Sequence, residues 1–320
     1  MRRSTNIFSY WLAHTPGGRV RKALCHLGAM LLPHRSVGAR LLKNRGIKRV
    51  LSIQAIHAWL QRLLGVCEAF DATSDTLFLG SSHILSGIMP ASCQKLRAWV
   101  AAVPSGDLRT VFFLYRHFRQ RWPKAAGQRV VVGVDLLHGA FVQEFAPDYF
   151  SCVMLHALIG MPYRNRFLMG RLQQVIDAWL PTLRRRGATA PSRGYFAYGE
   201  SDAELPPAVR AQRLAARVAS HRRFLTLPPK EIVWLERLIA EVEADGREVV
   251  FLYSPARADY RAGFHDLDPE APFRELARKH RLLNAFALPL APADWRDGDH
   301  LTDSGARHLT AWVEAQLQKP

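Results

Sequence analysis

Residues 75–83 read Asp75-Thr76-Leu77-Phe78-Leu79-Gly80-Ser81-Ser82-His83, and this stretch decides the fold class. Its apolar run is too short for a helix and ends at a glycine, a pattern typical of a buried β-strand. Small residues directly after a strand predict a sharp turn into a helix, which would begin at Ser82. We therefore expect a strand followed immediately by a helix, the repeating unit of α/β proteins.

Two further apolar runs have the same character, at residues 129–135 and 248–253. Both are rich in β-branched or aromatic residues and follow a glycine that breaks the preceding segment. Helical patterns at residues 107–121 and 229–244 lie between the strands. Strands that are apolar on both faces and alternate with helices predict a parallel sheet covered by helices on each side. The predicted fold class is thus a three-layer α/β/α sandwich with a parallel central sheet.

The remaining chain predicts additions to this domain. Residues 1–70 form a basic amphipathic helical extension, and residues 71–320 form the α/β domain. An insertion is expected at about residues 150–228. It combines a helical segment with a connection rich in Gly, Pro, Ser and Ala at residues 187–207. The aromatic residues Tyr195-Phe196 in this connection could stack on sugar rings or anchor the insertion to the core, and we favour anchoring.

Composition limits the classes of protein that remain. A chain of 320 residues with 48% hydrophobic residues can bury a large core, which excludes a disordered protein. Lys and Arg exceed Asp and Glu by 44 to 27, giving a net charge of +17. Such a field attracts acidic glycans, anionic lipids or nucleic acids, and the basic extension could contact an anionic membrane surface or pack on its own domain. No nucleic acid is expected as a partner, because the sequence contains no reader motif.

The sequence gives no sign of a metal or a cofactor. The cysteines Cys25, Cys67, Cys93 and Cys152 are widely spaced, so we expect reduced thiols rather than a metal clamp. No histidine pair has metal-ligand spacing, and no glycine-rich phosphate loop occurs. No segment approaches the roughly 20 apolar residues of a membrane-spanning helix, and no apolar stretch follows Arg2-Arg3. These features predict a protein of the cytoplasm or of the inner-membrane surface.

A second informative stretch, Asp297-Gly298-Asp299-His300, comes just before the final predicted helix. An aspartate, a histidine and a serine at a sharp turn are the groups that activate a hydroxyl nucleophile. Three-residue spacing allows Asp297 and His300 to face the same way, so that the carboxylate can orient the imidazole. Two other interpretations stay open. Ser81 and Ser82 could simply cap a helix, and the aspartates could form a solvated acidic loop.

Four blocks of this sequence resemble, in order, those of the SGNH hydrolase superfamily of GDSL-like esterases and lipases. They are Gly80-Ser81-Ser82, the glycine Gly106, Gly133-Val134-Asp135, and Asp297 with His300. The chain looks most like the branch associated with O-acyl modification of bacterial polysaccharides, because the sequence His300-Leu301-Thr302-Asp303-Ser304-Gly305-Ala306 matches the end of that branch's last block. The resemblance covers about residues 75–320.

The resemblance implies a role for each matching residue. Ser82 would be the nucleophile, His300 its base, and Asp297 the acid that orients His300. The N–H groups of Ser82 and Gly106 would stabilise the oxyanion. Asp135 stands where classical members have an oxyanion-binding asparagine, and a carboxylate accepts hydrogen bonds rather than donating them. Asp135 would therefore be protonated or point elsewhere, or a neighbour such as His138 would replace it.

These observations predict a serine-dependent acyl-ester hydrolase or O-acyltransferase that acts on a glycan or glycolipid. Its partner would be an acylated glycan or a lipid-linked substrate. Because relatives in the polysaccharide branch work outside the cytoplasm, the resemblance also makes an extracytoplasmic location a second expectation. The alternative function is a catalytically weak SGNH-like module that binds polysaccharide or a biosynthetic partner through its basic surface.

Overall fold

A computed structural model describes residues 58–104, 106–134, 159–160, 192–197, 201–222, 229–266 and 278–319. The strands are β1 (Thr76–Gly80), β2 (Ala98–Ala102), β3 (Arg129–Val134), β4 (Glu248–Tyr253) and β5 (Arg281–Asn284). The helices are α1 (Ala58–Ala69), α2 (Ser82–Gly87), α3 (Leu108–Arg119), α4 (Pro207–Arg222), α5 (Pro229–Ala244), α6 (Ala258–Ala262) and α7 (Asp303–Leu317). Short 3₁₀ turns occur at Pro90–Ser92, Asp202–Glu204 and Pro292–Asp294.

The five strands form one sheet in the order β2-β1-β3-β4-β5, and every neighbouring pair is parallel. The predicted fold class, a three-layer α/β/α sandwich around a parallel sheet, is confirmed. From β1 the chain moves outward to β2, then crosses back to β3 on the other side of β1. Proteins of this topology bind their ligands at the carboxyl ends of the strands where the order reverses, which here are β1 and β3.

The core consists of the strands and the helices packed on them. All residues of β1 and β2 are buried, and β3 and β4 are buried except for their first residues. Helices α3 and α5 pack on each other, with the rings of Phe112 and Trp234 5.3 Å apart between centroids. Helices α2 and α7 likewise pack on each other. Burial of each Val, Leu or Phe in such a core contributes about 2 kcal/mol to stability.

The elements that the sequence predicted agree with the structure in position. Strands β1, β3 and β4 and helices α3 and α5 coincide with the predicted segments within a few residues. Strands β2 and β5 were not predicted. The predicted helical segment at residues 151–185 and much of the connection at residues 187–207 lie outside the described residues. So do residues 1–57, and the division of the chain at residue 70 therefore stays a prediction.

The part of the predicted insertion at residues 192–197 is held against the domain. The Tyr195 hydroxyl donates to Asp303 Oδ1 over 2.6 Å, and the Phe196 N–H donates to the Leu85 carbonyl over 3.0 Å. Arg62 on α1 donates to the Tyr195 carbonyl over 2.9 Å. These contacts tie the segment to α1, α2 and α7, as expected of an anchor. In the part of the chain that the structure describes, no helix is both long enough and apolar enough to cross a membrane.

Candidate active site

The turn after β1 places Ser82 just beyond the carboxyl end of that strand. A Cβ on Gly133 would lie 2.1 Å from the Ile84 side chain, and one on Gly80 would lie 2.5 Å from it. These two glycines therefore allow α2 to pack directly on the ends of β1 and β3. Ser81 is the N-cap of α2, and its side chain accepts a hydrogen bond from the His83 N–H. Capping is thus the role of Ser81, and Ser82 is the first residue of the helix, partly exposed.

The loop before α7 is a tight hairpin built around an aspartate. An antiparallel bridge joins Trp295 to Leu301, and the Arg296 N–H donates to the His300 carbonyl over 3.0 Å. Inside the hairpin, Asp297 Oδ1 accepts the backbone N–H of Asp299 over 3.1 Å and that of His300 over 2.9 Å. Aspartate favours such turns because its short carboxylate can reach the N–H groups that follow it. The turn fixes the direction of both the Asp297 and the His300 side chains.

Ser82, His300 and Asp297 form one continuous chain of hydrogen bonds. His300 Nε2 lies 2.9 Å from Ser82 Oγ, although the two residues are 218 positions apart. On the other side of the ring, His300 Nδ1 lies 3.1 Å from both Asp297 oxygens. The loop is not a solvated acidic segment, because its residues Asp294 and Asp299 are buried.

The charges around His300 favour one tautomer. Burial alone would raise the pKa of Asp297, but its hydrogen bond with His300 and the charges of His300 and Arg217 together lower that pKa, so Asp297 is ionised. A carboxylate facing Nδ1 requires the proton on Nδ1, which leaves Nε2 free to accept the Ser82 hydroxyl proton. Arg217 Nη2 also lies 3.0 Å from Nδ1 and favours the opposite tautomer. Because the carboxylate presents two acceptor oxygens and Arg217 only one donor, the tautomer with the proton on Nδ1 is favoured.

A second cluster, consisting of the buried His83 and Asp299 and the partly buried Arg217, contacts His300. His83 Nε2 is 3.0 Å from Asp299 Oδ2, and Arg217 Nε donates to Asp299 Oδ1 over 2.5 Å. The His83 ring stacks on the His300 ring with centroids 4.7 Å apart and planes 7° from parallel. Burial alone would raise the pKa of Asp299, but the histidines and the guanidinium hold it well below its usual value.

None of these three cluster residues was predicted from the sequence. His83 follows Ser82 directly and Asp299 precedes His300, so both were within the quoted stretches. Their contact could not be foreseen, because it depends on the two stretches meeting in space. Arg217 comes from α4, within the predicted insertion, and no motif marks it.

Among the described residues, the only group of three or more potential metal ligands consists of His83, Asp299 and His300. Their chemistry does not fit a cation well. The Arg217 guanidinium already neutralises Asp299, and both ring nitrogens of His300 have partners within the hydrogen-bonded chain. A divalent ion there would face an adjacent positive charge in a buried site.

The predicted oxyanion residues are only partly described. The Ser82 N–H makes no hydrogen bond within the described part of the chain, as expected of the first residue in a helix. Gly106 lies close to the Gly80 carbonyl, but its N–H donates to the Val103 carbonyl over 2.9 Å. That bond occupies the donor, and the oxyanion role of Gly106 stays a prediction. Asp135 and His138 lie outside the described residues.

His221 on α4 makes folding stability depend on pH. Burial lowers its pKa from 6.5 to about 4, and its ring faces the Tyr260 hydroxyl at 2.6 Å and Asp299 at 4.0 Å. The unfolded chain therefore binds a proton that the folded chain excludes between these two pH values. Stability should fall as the pH drops from about 6.5 towards about 4. Asp297 and Asp299, whose pKa values are lowered, add their own losses only below this window.

Urea unfolding midpoints measured across this pH range test the expectation. The variant His221→Gln cannot be protonated and should show a weaker decline with falling pH than the parent chain. His265→Gln is a matched control, because His265 is exposed. Equal pH dependence in all three proteins would show that His221 is not buried as a neutral ring.

Together, the fold and the site define a parallel α/β protein with a serine–histidine–aspartate chain at the topological switch point of its sheet. No protein-family model matches the sequence, and no curated protein matches it. Among solved structures, the chain is similar to one from Streptococcus pneumonia described as a candidate platelet activating factor. The two share 10% identity with a TM-score of 0.37, over 89% of this chain and 100% of the other. A likeness this weak carries no information about activity.

Proposed function

We propose that the protein is a serine-dependent acyl-ester enzyme of the SGNH type, a hydrolase or an O-acyltransferase acting on a glycan or glycolipid. The observation that carries the proposal is the contact between Ser82 Oγ and His300 Nε2 at 2.9 Å, with Asp297 on the opposite ring nitrogen. A serine that merely capped a helix would not need an imidazole aligned in this way.

In the first step, Ser82 Oγ attacks the ester carbonyl while its proton passes to His300 Nε2. The new C–O bond converts the carbonyl to a tetrahedral oxyanion. Asp297 stabilises the imidazolium that forms and keeps the ring oriented. The Ser82 N–H can donate to the oxyanion. A second donor would come from Gly106 after rearrangement of its turn, or from the region of Asp135 and His138.

In the second step, the tetrahedral intermediate collapses and the alcohol leaves. His300 gives its proton from Nε2 to the leaving oxygen, and the acyl group stays on Ser82 as an ester. Water or a sugar hydroxyl then attacks this acyl-enzyme, again with His300 as the base. Water as the acceptor makes the protein a hydrolase, whereas a sugar hydroxyl makes it an O-acyltransferase.

The alternative, a catalytically weak SGNH-like module, draws support from the Gly106 N–H, which is bonded to Val103 rather than free. An assay with p-nitrophenyl acetate separates the two functions. The enzyme should release p-nitrophenol continuously, or in a burst of one equivalent if deacylation is slow. A protein that shows neither continuous release nor a burst of p-nitrophenol, at any pH between about 6 and 9, would be the binding module.

The fate of the acetyl group distinguishes hydrolysis from transfer. With a hydroxylated oligosaccharide added, a transferase should release p-nitrophenol faster and yield an O-acetylated sugar that mass spectrometry detects. A hydrolase should yield only free acetate, at a rate that the sugar does not change.

A further inference from the structure

A cavity of about 410 Å³ adjoins the proposed catalytic chain on the side of Asp297. Helix α4 forms one wall, and the hairpin that carries Asp297 and His300 forms another. Four guanidinium groups occur in its described lining, those of Arg213, Arg217, Arg257 and Arg296.

Among the described residues that line the cavity, positive charge exceeds negative charge. The four arginines face two carboxylates, Asp202 and Asp297. Arg213 is exposed and makes no ion pair with a carboxylate of the described chain. Arg257 uses Nη1 for Asp202 over 2.8 Å and Nε for Asp259 over 2.7 Å. The described lining therefore contains at least one guanidinium, that of Arg213, that no carboxylate of the described chain neutralises.

The cavity also shares a wall with the catalytic chain. Arg217 lines it and at the same time lies 3.0 Å from His300 Nδ1 and 2.5 Å from Asp299. In the proposed reaction, His300 must hand its proton to the leaving alcohol, so the alcohol portion of the ester lies on the imidazole side of Ser82. The hairpin that carries the imidazole also lines the cavity.

We propose that this cavity binds an anionic group, a carboxylate or a phosphate, on the alcohol portion of the ester substrate. The inference rests on the proposed acyl-ester chemistry and adds the substrate class to it. Guanidinium groups bind both anions with paired, charge-assisted hydrogen bonds, and these are stronger in a partly enclosed cavity than on an open surface. A neutral alcohol would leave the Arg213 guanidinium without an anionic partner.

Three small acetyl esters test the proposal: 1-O-acetylglycerol, 3-O-acetylglycerate and 1-O-acetylglycerol 3-phosphate. They share the ester and differ in carrying no charge, a carboxylate or a phosphate. Acetate release should show kcat/KM at least about tenfold higher for one anionic ester than for the neutral one, mainly through a lower KM. Which anionic ester is preferred identifies the anion. The preference should shrink as salt is added.

Two substitutions test whether the cavity produces the preference for anionic esters. Arg213→Gln should lower the ratio of anionic to neutral kcat/KM by about tenfold, and because Arg213 is exposed the variant should fold. Arg237→Gln removes the same charge from an exposed arginine that lies over the Trp234 ring on α5 and does not line the cavity. It should leave the ratio unchanged. Equal kcat/KM for all three esters, or an Arg213→Gln ratio equal to that of the parent, overturns the proposal.

Failure of the proposed function can be told apart from failure of this inference. If acetylglycerol is cleaved without any preference for charge, only the inference fails. If no ester is cleaved, the acyl-ester function fails, and the cavity is then tested by calorimetric titration with glycerol 3-phosphate and glycerate. Binding that Arg213→Gln weakens and Arg237→Gln does not would support an anion site, and lack of binding of both compounds would overturn it.

Discussion

Replacing Ser82 with alanine is expected to lower kcat for p-nitrophenyl acetate by at least about 1,000-fold. The variant loses the only hydroxyl found next to His300 Nε2 in the described structure, at 2.9 Å. Without an oxygen nucleophile no acyl-enzyme can form, so neither a burst nor steady turnover should remain. Ser82 is partly exposed and is not the cap of α2, so the variant should fold with nearly unchanged stability.

Ser81→Ala is the matched control for this experiment. Ser81 is the adjacent serine, but it is buried and its Oγ lies 3.2 Å from His83 Nδ1 rather than next to His300. Loss of the cap should cost about 1 kcal/mol of stability. Turnover should persist. The assignment of the nucleophile would be wrong if Ser81→Ala stopped turnover and Ser82→Ala did not.

Replacing Asp299 with asparagine is expected to destabilise the folded protein by about 3 kcal/mol or more. The Asp299 side chain is 5% exposed and is the partner of both Arg217 and His83. An amide has nearly the same shape but no charge, so the Arg217 guanidinium, which is 28% exposed, would lose the closer of its two carboxylate partners. Removing one partner of a buried ion pair costs far more than the pair contributes, because the remaining charge stays desolvated.

Asp259→Asn provides the comparison. Asp259 also pairs with an arginine, Arg257, but its side chain is 50% exposed, and such pairs contribute less than about 1 kcal/mol. Urea unfolding of both variants measures the difference. Similar losses in the two proteins would show that Asp299 is not the centre of a buried charge cluster.

Much of the fold could be predicted because the central strands are buried on both faces. β1, β3 and β4 are continuous apolar runs bounded by turn residues, which identify them without any knowledge of their neighbours. The two missed strands lack that signal. β2 reads Ala98-Trp99-Val100-Ala101-Ala102, and alanine disfavours strands, so its extended form depends on pairing with β1. β5 is four residues long at the sheet edge and only partly buried.

The candidate site likewise has residues that the sequence could predict and contacts that it could not. Ser82, Asp297 and His300 could be chosen from local spacing, because each belongs to a short stretch with a recognisable turn. Their convergence depends on the strand order, which puts the end of β1 at the switch point, and local sequence does not encode that order. Arg217 and the cavity beyond it arise only from the packing of α4 against the hairpin. For this reason the proposed preference for an anionic substrate rests on the structure and not on the sequence.

The central claim is that Ser82 is a nucleophile activated by His300, and reaction with a fluorophosphonate probe tests it most directly. The probe forms a stable bond only with a serine whose proton a neighbouring base removes. Peptide mass spectrometry after digestion should find one equivalent of adduct on Ser82, and none when the protein is unfolded in urea before labelling. No adduct on the folded protein, or an adduct on a different serine that persists in Ser82→Ala, would contradict the account.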